Sequence, residues 1–258
     1  MKKISILTIL VFSALIISAA AQLQFVEPFD SDTIYNTYEE FWTDPSDLEV
    51  TTPGDEGIAD SPEADGYFGK QTLAATGYAS TGKVAGFETD SDYTVQAYIY
   101  TPVVNTADEP DDYWYQMLIF YRDEGGYCRF HTQFNEDSTV IDNPRIRLQI
   151  TNPSFAYTEI WESPSDFTHS EGWHFMKAEI TGTTADCYFD ETYLGTADWT
   201  ADAATRDAGK FGFGQYIDGE GTRSLYIDMF KAYQGSEPPW PTPTPEPVLG
   251  AQNWTHYE

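Results

Sequence analysis

From Gln24 onward, apolar and polar residues alternate with a period of two over short runs, and no stretch sustains the period of an amphipathic helix. In Arg145-Ile146-Arg147-Leu148-Gln149-Ile150 the odd positions are polar and the even ones apolar, and Cys128-Arg129-Phe130-His131-Thr132-Gln133-Phe134 repeats the pattern. Successive side chains of a strand point to opposite faces, so each run predicts a strand with one face in a core and one outside. The pattern predicts strands over 24–29, 66–75, 93–102, 113–122, 127–134, 145–151, 156–162, 173–181, 184–190, 209–217 and 223–234. Turn chemistry separates them: Asp123-Glu124-Gly125-Gly126, Asn152-Pro153, Thr181-Gly182-Thr183 and Asp218-Gly219-Glu220-Gly221. Strands at this spacing predict an all-β chain built as a two-sheet antiparallel β-sandwich, with room for one short helix in the loop 201–208.

The two ends of the chain break the pattern. Lys2 and Lys3 precede an apolar stretch over 4–17, and Ala19, Ala20 and Ala21 follow it, which is the layout of a signal peptide cut near Gln22. The expectation is a secreted protein, extracellular or held at the cell surface, and no later segment is long or apolar enough to span a bilayer. After Gln234, Pro238, Pro239, Pro241, Pro243, Pro245 and Pro247 alternate with Thr and Glu in an extended spacer. The predicted organisation is a signal peptide (1–21), a sandwich domain (22–235), a Pro/Thr-rich linker (236–247) and a short C-terminal tail (248–258). The tail is either a tag for sorting or cell-surface attachment or a plain chain end.

Charge narrows the partners. Thirteen Lys+Arg stand against 42 Asp+Glu, for a net charge of −29, and residues 1–21 contain two lysines and no acid, so the rest is more acidic still. Nucleic acid and anionic membrane surfaces are excluded as natural partners. Aromatic residues make up 16% of the chain, which favours sheets. Cys128 and Cys187 both fall within strand runs, and a single disulfide and two buried thiols are both open.

A family resemblance runs from residue 92 to 232. Phe120-Tyr121-Arg122-Asp123-Glu124-Gly125-Gly126-Tyr127, then Glu171-Gly172-Trp173-His174 leading into Cys187-Tyr188-Phe189-Asp190-Glu191, then Gly212-Phe213-Gly214 and Tyr226-Ile227-Asp228, resemble the concanavalin A-like lectin/glucanase superfamily and its laminin-G-like modules. The opening Phe25-Val26-Glu27-Pro28-Phe29-Asp30 looks like that family's first strand, and Glu191 departs from it where glycine is usual. The resemblance implies a jelly-roll sandwich, frequent glycan binding and a structural calcium, for which Asp228 is a family-position candidate beside the loop carboxylates Asp90 and Asp92. It does not by itself imply an activity. Trp173 is expected in the core, as are Phe189, Phe211, Phe213 and Phe230.

Alternation gives a separate argument about a site. Arg145, Arg147 and Gln149 share one face of their strand, and Arg129, His131 and Gln133 share one face of theirs. The matching sets are Gln96, Tyr98 and Tyr100 on 93–102, and Trp114, Gln116 and Arg122 on 113–122. If these strands are neighbours in one sheet, arginines and aromatics gather on one surface. Aromatic rings stack on sugar rings while Arg, Gln and His donate to hydroxyls or carboxylates, which suits an acidic polysaccharide.

Catalysis is less well supplied. Retaining glucanases of this fold place paired carboxylates two or more residues apart on one strand, and no Glu-x-Asp-x-Glu or Glu-x-Asp-x-x-Glu run is present. Strict alternation puts Glu159 and Glu162 on opposite sides of a strand. The expected function is a non-catalytic carbohydrate-binding or adhesion module, with a self-assembling extracellular structural protein and a glycan-degrading hydrolase or lyase as alternatives.

Overall fold

The computed structural model of the chain describes residues 24–30, 34, 38–40, 48–62, 65–73, 77–83, 92–101, 113–123, 126–135, 145–151, 157–162, 170–198, 200, 210–218, 222–234 and 237. The leader, the tail, nearly all of the linker, the loop 201–208 and Asp90 lie outside the described residues.

Among the described residues, fifteen strands and one helical turn follow in order: β1 (Gln24–Glu27), β2 (Tyr38–Glu40), β3 (Leu48–Thr51), α1 (Pro53–Glu56), β4 (Phe68–Leu73), β5 (Gly77–Lys83), β6 (Tyr93–Thr101), β7 (Tyr113–Asp123), β8 (Gly126–Asn135), β9 (Arg145–Thr151), β10 (Tyr157–Glu162), β11 (Gly172–Thr181), β12 (Thr184–Phe189), β13 (Thr192–Asp198), β14 (Lys210–Asp218) and β15 (Arg223–Tyr233). Each of the eleven runs read from alternation is a strand. They form two antiparallel sheets. Sheet A has the order β13-β12-β11-β6-β15-β4-β3 with β1 paired to β15, and sheet B the order β10-β9-β8-β7-β14-β5-β2.

The core is the space between the sheets. Sheet A supplies Val95, Ala97, Ile99, Met176, Ala178, Cys187 and Phe189, and sheet B supplies Leu118, Phe120, Cys128, Phe130, Leu148, Phe211 and Phe213. Burying each such large apolar side chain contributes roughly 1.5–3 kcal/mol, so these positions dominate the stability of the sandwich. Phe25 meets Phe211 at 5.2 Å and Phe213 meets Phe230 at 5.1 Å, both edge to face. Cys128 and Cys187 are separate buried thiols, one in each sheet. Two interior glutamines also tie the sheets together: Gln116 Nε2 donates to the Tyr100 carbonyl at 2.9 Å, and Gln215 Nε2 donates to that of Gln71.

Gly69 is required by a close approach. A Cβ there would lie 2.8 Å from Cε1 of Phe29, a buried ring whose own backbone has φ 55°. At the far end of sheet A, β12 and β13 are joined by Asp190 and Glu191 alone, with φ 47° and 62°. Two consecutive left-handed residues make the tight turn whose twist matches a hairpin, a conformation that glycine adopts at least cost. Glu191, standing where the resemblance expects glycine, is therefore held in that geometry by its surroundings. Asp190 supplies the hold: its Oδ1 accepts from the Phe175 amide at 2.9 Å, and its Oδ2 lies 2.7 Å from His174 Nδ1.

Candidate functional site

The expected single surface does not form. β6 pairs with β11 and β15 in sheet A, whereas β7, β8 and β9 are neighbours in sheet B, so Tyr98 and Tyr100 lie on a different sheet from Arg129, His131 and the β9 arginines. Alternation reports which residues share a face of a strand and is silent on which sheet the strand joins. Trp114 and Gln116 also differ from expectation. Both are buried in the sandwich interior, where Trp114 Nε1 donates to Gln215 Oε1 and packs with Leu73 and Ile217. Gln116 pairs across to Thr132, while His131 pairs with Met117, whose parity is the opposite.

The remaining sheet B candidates are placed by register. His131 lies opposite Arg147, Gln133 opposite Arg145, Arg129 opposite Gln149, and Arg122 opposite Lys210. On the non-core side of that sheet, His131 is 0% and Arg129 3% exposed, as are Met117 and Ile119 at 0%, so this face is covered where its side chains are described. One correction concerns the carboxylates of β10. A bulge between Glu159 and Trp161 breaks the period-two count, and Glu159 pairs with Gln149 while Glu162 pairs with Arg147. Partners two apart on β9 belong to one side of the sheet, so the two glutamates occupy matching rather than opposite register positions.

The open site is on the outer face of sheet A. The register sets Tyr98 beside Phe175 and Asp228, and Gln96 beside Lys177 and Lys231, with Tyr188 next along the second row. A groove of about 410 Å³ runs over these rows, its floor and walls made by Tyr98, Phe175, Tyr188, Tyr233, Gln96 and Lys177, with Met229, Glu191 and Glu237 completing the rim. Tyr98 and Phe175 lie 5.1 Å apart, tilted by 47°. Tyr233 Oη donates to Gln96 Oε1 at 3.0 Å, Gln96 Nε2 donates to Glu237 Oε1 at 3.0 Å, and Lys231 Nζ, buried beneath, reaches the same oxygen at 2.6 Å. Burial, with the Glu237 carboxylate as the next cause, pushes the Tyr233 phenol up to about 12, so it stays a neutral donor. Lys177 Nζ sits 2.6 Å from Glu179 Oε1 and 4.1 Å above the Tyr188 ring, and Tyr188 Oη donates to Glu179 Oε2 at 3.2 Å.

Beyond the groove, the same face carries a capped aromatic cluster. Trp173 packs edge-on against Phe68 at 5.2 Å and Tyr100 at 5.5 Å, and its Nε1 donates to the Ala59 carbonyl at 2.8 Å. Trp173 is thus on the outer face and not between the sheets, because the core side of β11 is taken by its even positions, Met176 to Ile180. Glu56 of α1 closes the cluster, accepting from Lys70 Nζ, Tyr226 Oη and Thr51 Oγ1, each at 2.9 Å.

Of the calcium candidates, Asp90 lies outside the described residues, and Asp92 and Asp228 stand apart from each other. Asp92 Oδ1 accepts from the Gly182 amide at 3.0 Å and so caps the turn between β11 and β12. Asp228 is fully buried and opposes Tyr98, six positions along from Asp92, about 20 Å at strand rise. Among the described residues no group of three or more His, Cys, Asp or Glu converges.

Of the residues grouped by alternation, Gln96 and Tyr98 line the groove and Tyr100 the neighbouring cluster. Phe175, Lys177 and Tyr188 were missed, although the odd-position row Trp173-Phe175-Lys177-Glu179 on β11 carried the signal. No family model matches the chain, and no curated protein matches it. In structure it is similar to a glycoside hydrolase family 16 endo-glucanase from Bacteroides ovatus in complex with G4G3G-2F-DNP, with TM-score 0.56 and 11% identity over 81% of this chain and 99% of that one. It is similar also to the GH16 protein of the Bacteroides ovatus mixed-linkage glucan PUL in complex with G4G4G3G product, at TM-score 0.55, 11% identity and the same coverage. With two antiparallel sheets in this arrangement, the chain has the concanavalin A-like jelly-roll fold.

Proposed function

We propose that the protein is a non-catalytic glycan-binding module that holds a saccharide in the groove on the outer face of sheet A. The observation that carries this reading is the groove itself: Tyr98, Phe175 and Tyr188 present partly exposed rings beside fixed polar groups on Gln96, Tyr233 and Glu237. Rings of this kind stack on the apolar faces of sugars, and the polar groups orient hydroxyls. Support comes also from the fold, which in the two Bacteroides ovatus proteins holds glucan oligosaccharides. The Lys2/Lys3 leader pattern and the Pro-rich segment after the sandwich fit export and tethering at a cell surface.

The scarcity of carboxylates on the central strands of sheet B supports binding over cleavage. Strands β7, β8 and β9 together carry a single carboxylate, Asp123, at the end of β7. The enzyme alternative retains one specific observation, the matched register of Glu159 and Glu162. A glycan array probed with the full chain in calcium and in chelator, alongside an assay for new reducing ends, tests both. Selective binding without cleavage supports the module. Cleavage abolished by Glu159→Gln or Glu162→Gln establishes the enzyme instead, and no binding to any glycan in either condition overturns the proposal.

A further inference from the structure

The charge balance of the groove deepens this reading and rests on it. Among the described residues lining the groove, Lys177 is the one cation, and its charge is paired. Its ammonium is held by Glu179 at 2.6 Å and by the face of Tyr188 at 4.1 Å, and Glu179 is in turn fixed by the Tyr188 hydroxyl. At the other side, Glu237 is matched by the buried Lys231, and at the hairpin tip Glu191 stands exposed. Among the described residues, Lys177 and Lys231 are thus each paired with a carboxylate while Glu191 lines the groove as well, in a chain of net charge −29.

We propose that Glu179, acting through Lys177 and Tyr188, is a specificity-determining positioning residue that makes the groove select uncharged glycans and turn away uronate- or sulfate-bearing ones. An anionic sugar entering the groove meets Glu191 with no free cation among the described lining residues to answer it, and like-charge juxtaposition is costly. A neutral sugar pays no such penalty, since carboxylates accept hydrogen bonds from its hydroxyls. The expectation of an acidic polysaccharide rested on arginines beside aromatics, but Tyr98 and Tyr100 lie on the other sheet from the arginines and Trp114 is buried between the sheets.

The test compares the full chain with Glu179→Gln, Lys177→Met and the Glu179→Gln/Lys177→Met double variant, each titrated with a neutral soluble glucan and with a polyuronate. Wild type is expected to bind the neutral polymer only. Glu179→Gln frees the ammonium and is expected to gain polyuronate binding by about tenfold or more, with the gain lost in about 0.5 M salt and absent from the double variant. A structural role alone would weaken glucan binding without creating any polyuronate binding. Wild-type polyuronate binding that Lys177→Met abolishes overturns the proposal, as does a Glu179→Gln variant that binds the glucan normally and gains nothing. If neither protein binds either polymer, the proposal falls together with the glycan reading; if only Glu179→Gln binds, and binds polyuronate, the charge gate stands and the neutral-glycan assignment fails.

Discussion

At the scale of single residues, Glu191 is where local backbone chemistry and groove chemistry disagree. A side chain at φ 62° costs about 1–2 kcal/mol, and glycine recovers most of this less its own greater loss of freedom, roughly 0.5–1 kcal/mol. Glu191→Gly is therefore expected to raise the stability by about 0.5–1 kcal/mol, read as an increase of a few degrees in Tm. An unchanged or lower Tm would show that the carboxylate makes a compensating contact in the folded state. The position was legible in advance, since Asp-Glu stood where the resemblance expected a glycine-ended turn. What the sequence could not show was that Asp190, bound to the Phe175 amide and His174, fixes the turn strongly enough to tolerate the strain.

At the scale of elements, α1 is a single turn that the alternation pattern does not reveal, yet its signals are local. Thr52 caps the N-terminus by accepting from the Asp55 amide at 3.3 Å, Pro53 follows, and Gly57 ends the turn at φ 71°. The turn delivers Glu56 to Lys70, Tyr226 and Thr51. Burial alone raises the Glu56 pKa, but the Lys70, Tyr226 and Thr51 hydrogen bonds outweigh it and hold the carboxyl below its ordinary range. A carboxyl depressed in the folded state contributes stability that is present above its unfolded pKa, about 4.3, and is lost as pH falls through the folded value. The denaturation midpoint of the wild type should thus fall more steeply below about pH 4.5 than that of Glu56→Gln. Parallel pH profiles would remove the cap from the account. The exposed edge strand β13 lacks the alternation that marks the others, because it contributes few side chains to the core, and β5 is interrupted in sequence by Gly77 and Gly82.

At the scale of the whole molecule, alternation identified the faces of strands and could not assign strands to sheets. β6 and β7 are consecutive in the chain yet belong to opposite sheets, and that one crossover separates Tyr98 from the arginines once grouped with it. The same scale governs charge. A net charge of −29 disfavours the compact state through self-repulsion, so screening should stabilise it: Tm is expected to rise between about 10 mM and 150 mM salt, as the screening length drops from roughly 30 to 8 Å. A Tm that falls over this range would mean that attractive ion pairs such as Lys70–Glu56 outweigh the repulsion. The central claim is that the working surface is the outer face of sheet A, and the most direct check is calorimetric titration of the best array ligand into wild type, Tyr98→Ala and Arg145→Ala/Arg147→Ala. Affinity is expected to weaken by about tenfold or more in Tyr98→Ala and to stay unchanged in the double arginine variant; the reverse pattern would place the site on sheet B instead.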